Sequence, residues 1–333
     1  MAVIVPATVQ QFGDTTNESI QNIFVMRRNA KEQMSEIGKY YNVVTTSSYI
    51  EKDSSILGTS KAKFIGENAS VIYDAPLQGN DKSYTQKKYG DALKISDQLW
   101  RFGLEFRKIT SVTESIVDSM YEKAQDDAAD NLNNSYATSY TDDDGQTVTT
   151  SGGNSVALFS NAQTREDGGT NGNNIVYDAT TYNMDFAYDA LKALRRTAAA
   201  VLTGRGQKTN IKPDTLVCKY GSSVQSAYEE LMGALSRNMI PGGNENDGAA
   251  KVGLPKLITL DYLDNDAYWF AFDSSMKNDK YGLQWKWNKQ PTLDAPEYDY
   301  DTDLYKRKAI MFYDRGFNSW RGWFGSKGDG STP

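Results

Sequence analysis

The chain has 333 residues, 39% of them hydrophobic and 24% charged, with 36 Lys and Arg against 43 Asp and Glu and a formal net charge of -7. This is a globular composition long enough for about two domains or one elaborated domain, and its negative balance argues against a basic coat for nucleic acid. No run approaches the ~18 apolar residues of a membrane helix, the absence of histidine removes Ser-His-Asp and Cys-His catalysis and His-containing zinc sites, and the single cysteine, Cys218, permits neither an internal disulfide nor a CxxC site.

Residues 1–6 lack the basic start and apolar stretch of a signal peptide. Ile20, Ile23, Phe24, Met34 and Ile37 recur at near-helical spacing and predict a helix over 17–38. Arg27, Arg28 and Lys31 give it a basic face. That face is either solvated surface or an arm that docks on an acidic neighbour or faces nucleic acid. Over 51–99, strand-like pieces at 62–65 and 70–73, turn chemistry at Pro76–Asp81 and a polar return at Ser83–Tyr89 predict an extended hairpin. So few large aliphatics leave it marginal alone, so it needs a partner surface from its own chain or another.

Ser111-Val112-Thr113-Glu114 reads as a capping box. Val112, Ile116, Val117, Met120, Tyr121, Ala124, Ala128 and Leu132 then form one apolar stripe. The spacing predicts a helix over 109–136, about 25 residues and roughly 38 Å long, lying as a spine across a sheet. Residues 138–180 are loop-rich, with turns at 141–146 and 151–154, an apolar anchor at Val156–Phe159 and a Gly/Asn-rich tip at 168–174. Helix and strand alternate over 183–305. The expected elements are a helix over 184–202 ended by Gly204, a strand at Thr215–Lys219 with Cys218 as buried filler, and a helix capped by Ser222 and broken at Pro241–Asn244. Strands follow at 255–260, 268–272 and 283–287. Lys306–Asp314 is a last strand leading into 316–325, and the final eight residues read as polar tail.

Candidate chemistry is thin. Asp299-x-Asp301-x-Asp303 opens like a calcium loop, but Leu304 stands where the loop needs Gly and Ile310 where it needs Glu. An acidic loop paired with Lys306, Arg307 and Lys308 is the simpler account. The Gly-rich stretch lacks the Gly-Lys-Ser/Thr ending of a phosphate loop. Glu229 and Glu230 are adjacent on a helix and point apart, as surface residues do. No catalytic, cofactor-binding or metal-binding residue is assigned, and no enzyme activity is expected. The 21 Tyr and 6 Trp suit interfaces as well as cores.

The order of parts is more informative: basic arm, polar hairpin, spine helix, Gly/Asn-rich loops, α+β domain, then a strand ending in Trp-Arg-Gly. With Leu158-Phe159-Ser160-Asn161 after the long helix, Pro213-Asp214-Thr215-Leu216-Val217, Tyr268-Trp269-Phe270 and Trp320-Arg321-Gly322-Trp323, the chain resembles the major capsid proteins of tailed bacteriophages, nearest the group with Mu-like heads. That resemblance implies the α+β Hong Kong ninety-seven fold. Residues 1–45 would be an N-terminal arm, 46–100 the extended loop crossing a neighbouring subunit, 101–180 and 306–333 a peripheral domain around the spine helix, and 181–305 an axial domain. The implied function is a head protein that self-assembles as hexamers and pentamers into an icosahedral shell enclosing double-stranded DNA, in a virion capsid assembled in the bacterial host cytoplasm.

Expected partners are further copies of the chain, a separate scaffolding protein and a portal, with a decoration protein as a further candidate. DNA is enclosed without sequence-specific binding, and no membrane is involved. Arg27, Arg28, Phe64, Ile65, Tyr84, Lys88, Trp320 and Trp323 are the inter-subunit contact candidates. Some members of the resembled family join a hairpin Lys to an Asn of the next subunit, and Lys61, Lys63 and Asn318 match by type. The alternatives are a cytosolic carboxylate-pair glycoside hydrolase and an encapsulin-like compartment shell.

Overall fold

The computed structural model describes residues 9–67, 69–71, 73, 75–97, 106–169, 172–178, 180–236, 253–279 and 281–332. The expected helix break at Pro241–Asn244 lies outside them, as do Ile72 and residues 1–6. No helix among the described residues is long and apolar enough to cross a membrane.

Two sheets organise the chain. In the first, β1 (Tyr41–Thr45) lies parallel to β12 (Leu283–Leu293), which pairs antiparallel with β14 (Leu304–Gly316). β13 (Glu297–Asp299) continues along the same edge of β14, and β4 (Lys87–Ser96) takes the opposite edge over ten residues. In the second sheet the order is β10 (Lys256–Leu260), β9 (Thr215–Lys219), β11 (Trp269–Phe272), β15 (Trp323–Ser326). Every residue of β11 and of the edge strand β15 is buried, so both faces of this half of the sheet are covered. Sheet membership differs from the sequence grouping. β12 and β13, expected within 181–305, pair with β14, while β15 crosses into the second sheet. Cross-strand pairing ignores order along the chain, so a linear partition cannot express this exchange.

The spine helix α3 (Phe106–Asn133) buries Ile116, Val117, Met120, Tyr121, Ala124, Ala128 and Leu132, the predicted stripe, although Val112 is exposed. Its first described turn precedes Ser111, so Ser111–Glu114 stands inside the helix and is not its cap. Polar residues cost a helix interior only a few tenths of a kcal/mol, about 0.5 each, and burial of the stripe sets the length instead. The first helix, α1 (Val9–Met34), buries Ile20 and Phe24 and packs on α3, and a single turn, α2 (Ile37–Tyr40), joins it to β1.

The remaining helices follow the sequence pattern. α4 (Tyr188–Ala200) buries Ala190, Leu191, Leu194 and Ala198. α5 (Ser223–Ser236) is capped as expected, with the Gln225 backbone N–H donating to Ser222 Oγ at 3.2 Å. A tight hairpin of β5 (Ser139–Thr141) and β6 (Thr147–Thr149) closes through the expected turn, where Gly145 has φ +76 and Asp142 Oδ1 accepts from the Gln146 N–H. A minimal pair, β7 (Tyr177–Asp178) and β8 (Thr181–Tyr182), leads into α4.

The hairpin forms from other residues than expected. β2 (Ile50–Leu57) pairs with β3 (Leu77–Thr85), while 62–65 is not in a strand. The Pro76–Asp81 turn chemistry is absorbed differently. Ser55 faces both Gly79 and Asn80, a β-bulge that makes use of residues tolerant of irregular backbone. Residues 58–76 form the connection between the two strands.

Candidate functional site

Two structures flank the hairpin: a buried ionic seam at its root and an exposed tip. The seam joins α3 to β14. Asp127, fully buried, accepts from Tyr313 Oη at 2.6 Å and from Arg315 Nη1 at 2.8 Å, both at Oδ2. Lys123 reaches its other oxygen at 3.3 Å and Asp144 at 3.1 Å. Arg315 also donates to Tyr140 Oη, which donates to Asp130 Oδ2 at 3.1 Å. Burial works to lower the Arg315 pKa, but Asp127 and the surrounding tyrosines outweigh it and raise it. Burial, then the neighbouring Asp126, pushes Asp130 up to about 6. Around this seam Trp285 stacks on Tyr313 with ring centroids 4.5 Å apart, and Tyr89 stacks on Tyr313 at 4.6 Å.

At the hairpin root Tyr84 is 0% exposed, with the Lys286 ammonium 4.2 Å above its ring; Lys286 pairs with Glu51 at 2.7 Å. Lys82 donates to Ser151 O at 2.7 Å and Asn318 Nδ2 to Asp53 O at 3.1 Å. Farther out Arg205 Nη2 reaches Ala75 O at 2.6 Å. Beyond these ties the tip is open. Phe64 is 97% and Tyr73 95% exposed, and Ile65 and Val71 are exposed as well.

The contact candidates therefore separate. Phe64, Ile65 and Lys88 stand exposed. Arg28 is part-exposed and donates to its neighbour Asn29. Arg27 and Lys31 are spent within the chain, on Asp118 of the spine helix at 2.6 and 3.3 Å. The acidic surface expected on a neighbour is thus present in the chain itself. Three candidates are corrected. Tyr84, Trp320 and Trp323 are buried in the chain's own core, where Trp323 stacks on Phe272 at 4.6 Å. Large aromatics serve cores and interfaces alike, and residue type alone did not separate the two. Lys61 and Lys63 are exposed, but Asn318 is buried and bonded to the hairpin, which withholds it from a neighbour's lysine.

The acidic triplet is locally engaged: Lys306 pairs with Asp299, Tyr298 donates to Asp303, and the Asp301 N–H donates to Asp299. Among the described residues no group of three or more acidic or cysteine side chains is placed to hold a metal. Glu229 and Glu230 are exposed on α5, and Cys218 is buried in β9 as expected.

Sequence reasoning missed three features. One is the Asp127–Arg315 pair, whose members are 188 residues apart. The second is the buried bidentate pair of Arg321 with Glu166, at 2.9 and 2.7 Å. In the sequence Arg321 stands out only as part of Trp-Arg-Gly. The third is a cleft of about 950 Å3 at the hairpin root, bounded by Gln86, Lys87 and Lys88, by Ser119 and Lys123 of α3, and by Asp142 and Asp144 of the β5–β6 turn.

A family model described as phage capsid protein matches residues 79–325. No curated protein matches the sequence. Among solved structures, the capsid of an empty GTA particle aligns at 12% identity over 88% of this chain and 89% of that one, with a TM-score of 0.50. A structure from Mycobacterium phage Patience aligns at 10% identity over 96% and 89%, also with a TM-score of 0.50.

Proposed function

The chain belongs to the phage capsid protein family, as a structural major capsid protein with the Hong Kong ninety-seven fold, and on that premise we propose that its copies gather as hexamers and pentamers and close into an icosahedral shell around double-stranded DNA. The observation that carries this reading is the hairpin tip. Phe64, Ile65, Val71 and Tyr73 all face solvent on one segment that the two strands carry away from the root. Exposed apolar side chains gathered in one place mark a surface meant for a partner. A protruding tip that docks on a different part of the next copy gives a heterologous contact, the kind that closes into rings.

In this reading the peripheral unit comprises α1, β1, β4, α3 and β12 to β14, the axial unit comprises α4, α5, β9 to β11 and β15, and the β2–β3 hairpin is the extended loop. The net charge of -7 supports a shell that encloses DNA without gripping it, since tight binding needs many Lys and Arg contacts to phosphate. A scaffolding protein, a portal and assembly in the host cytoplasm belong to the same proposal, with a decoration protein as an optional outer partner. The carboxylate-pair hydrolase gains nothing from the family match.

The test is sedimentation and negative-stain microscopy of the full chain, expressed alone and together with the other head proteins of its source. Capsomer rings or polyhedral particles are expected. A monodisperse monomer at every concentration and in both expressions overturns the proposal.

A further inference from the structure

We propose that the cleft at the hairpin root binds a phosphate that keeps one P–OH group, either inorganic phosphate or a phosphate monoester. One subunit holds the whole site, which therefore does not depend on the shell. The cleft carries an unmet demand. Gln86 is 3% exposed, yet neither its amide nitrogen nor its amide oxygen has a hydrogen-bond partner among the described residues. The Lys87 ammonium, next along the chain, is likewise buried without a hydrogen-bond partner. Both residues line the cleft. Buried polar groups are almost always paired, and a buried charge left alone is costlier than a neutral group.

The sign of the missing partner follows from the carboxylates. Three aspartates line the cleft, and each is already engaged within the chain. Asp91 accepts from Ser119 Oγ at 3.0 Å and from the Ala92 N–H at 2.7 Å. Asp142 accepts from the Gln146 N–H at 2.7 Å, and Asp144 pairs with Lys123 at 3.1 Å. Lys123 in turn is shared with Asp127. The charges left over are those of Lys87 and of the exposed Lys88 beside it. The occupant that balances them is an anion.

Gln86 narrows the choice of anion. An ionised carboxylate, or a sulfate, only accepts hydrogen bonds; it meets the amide nitrogen and leaves the amide oxygen facing another lone pair. A phosphate that keeps one proton does both. Its charged oxygens accept from Lys87 Nζ and Gln86 Nε2, and its P–OH donates to Gln86 Oε1. The match holds whichever way the amide is turned. The phosphodiester of a nucleic-acid backbone has no P–OH and fails as sulfate does. The cleft, about 950 Å3, is many times larger than one phosphate, and the exposed Tyr49 on its wall leaves a ring for the organic part of a monoester. Gln86 is the single residue between β3 and β4, so the ligand sits where the hairpin joins the first sheet.

The experiment is calorimetric titration of the full chain with inorganic phosphate, 2′-deoxyadenosine 5′-monophosphate and sulfate at matched ionic strength, at about pH 5.5, where phosphate and its monoesters keep a P–OH. Saturable binding of phosphate or of the nucleotide, about tenfold tighter than sulfate, is expected, and the tighter of the two names the source. No saturable binding of either, or binding with no preference over sulfate, overturns the proposal. Two variants assign the roles. Gln86→Leu should bring phosphate down to the level of sulfate, whereas Lys87→Met should weaken both anions. Each variant removes a buried group that has no partner, so neither should melt below the parent chain in the absence of ligand. A Gln86→Leu chain that melts as the parent does and still prefers phosphate tenfold overturns the P–OH assignment. If either variant fails to fold, the comparison of phosphate with sulfate on the parent chain still decides.

Discussion

The spine and the hairpin tip solve opposite problems with similar residues. Where the spine helix meets the first sheet, Tyr313 of β14, Trp285 of β12 and Tyr89 of β4 stack beside the buried Asp127–Arg315 pair, so that aromatic faces exclude water from two opposite charges. On the tip, Phe64 and Tyr73 are left almost wholly in water. A subunit meant to stand alone gains nothing from the second arrangement, because exposed aromatic area forfeits its burial energy. On the proposed reading the spine carries stability and the tip association, and each half of that division can be broken separately.

The largest effect is expected at the ionic seam. Asp127→Ala leaves the Arg315 guanidinium buried without its carboxylate, which costs about 3–5 kcal/mol. Urea unfolding of the soluble subunit measures it. A loss below about 1 kcal/mol would mean that water enters the seam and that the spine is not the dry core described here. Trp323→Ala is expected to cost a similar ~3–5 kcal/mol, because the ring is buried against Phe272. If Trp323→Ala instead abolished assembly with no change in melting temperature, the ring would be a subunit contact and not a core residue.

Removing the hairpin is informative only with the right boundaries. A deletion of 60–90 takes away all of β3, with the buried Tyr84, and the start of β4, which pairs with β14. It destroys the fold whatever the tip does. Replacing 58–76 by a short Gly/Ser linker leaves those pairs intact. The subunit is expected to stay folded and monomeric, with shells lost in microscopy. Intact shells from that variant would remove the tip from assembly.

What was legible in the sequence follows from physical range. Helical periodicity acts over a few residues, so the α3 stripe from Ile116 to Leu132 could be read directly, as could the Ser222 cap and the Thr215–Lys219 strand. The hairpin lies in the region the sequence indicates but is built from other residues, because 62–65 has strand-like composition and, among the described residues, no strand beside it. The choice was made at a distance, by Tyr84 under Lys286 and by Asn318 bonding to Asp53. The seam was invisible for the same reason: nothing local to Asp127 announces an arginine 188 positions away. The cleft shows only in three dimensions, where the buried Gln86 side-chain amide has no hydrogen-bond partner among the described residues.

A smaller effect tests the edge of the seam. Asp130 is part-exposed, and its folded pKa of about 6 lies above the ordinary aspartate value. The folded protein therefore holds that proton more tightly than the unfolded chain does. Stability from this group is complete below about pH 4 and is lost as pH rises through 6. Asp130→Asn keeps an oxygen for Tyr140 and removes the charge, so it should stabilise the subunit at pH 8 by roughly 1 kcal/mol after allowance for solvent screening. At pH 4 it should have no effect. Melting curves at the two pH values decide it, and equal shifts at both would detach Asp130 from the pH response.

The smallest effect on stability, and the sharpest test of the comparison, is at Phe64. Phe64→Ser removes a ring that touches almost nothing in the isolated chain, so the unfolding midpoint should move by no more than about 0.5 kcal/mol equivalent. Shell yield should fall steeply, because a buried aromatic anchor at an interface is typically worth ~2 kcal/mol or more per contact. A shell repeats that contact in every subunit, so a modest loss at each is multiplied through the lattice. The two readouts must diverge for the division of labour to hold. A Phe64→Ser subunit that melts several degrees lower means that the tip packs on its own chain, and one that assembles normally means that its exposed ring has no partner to meet.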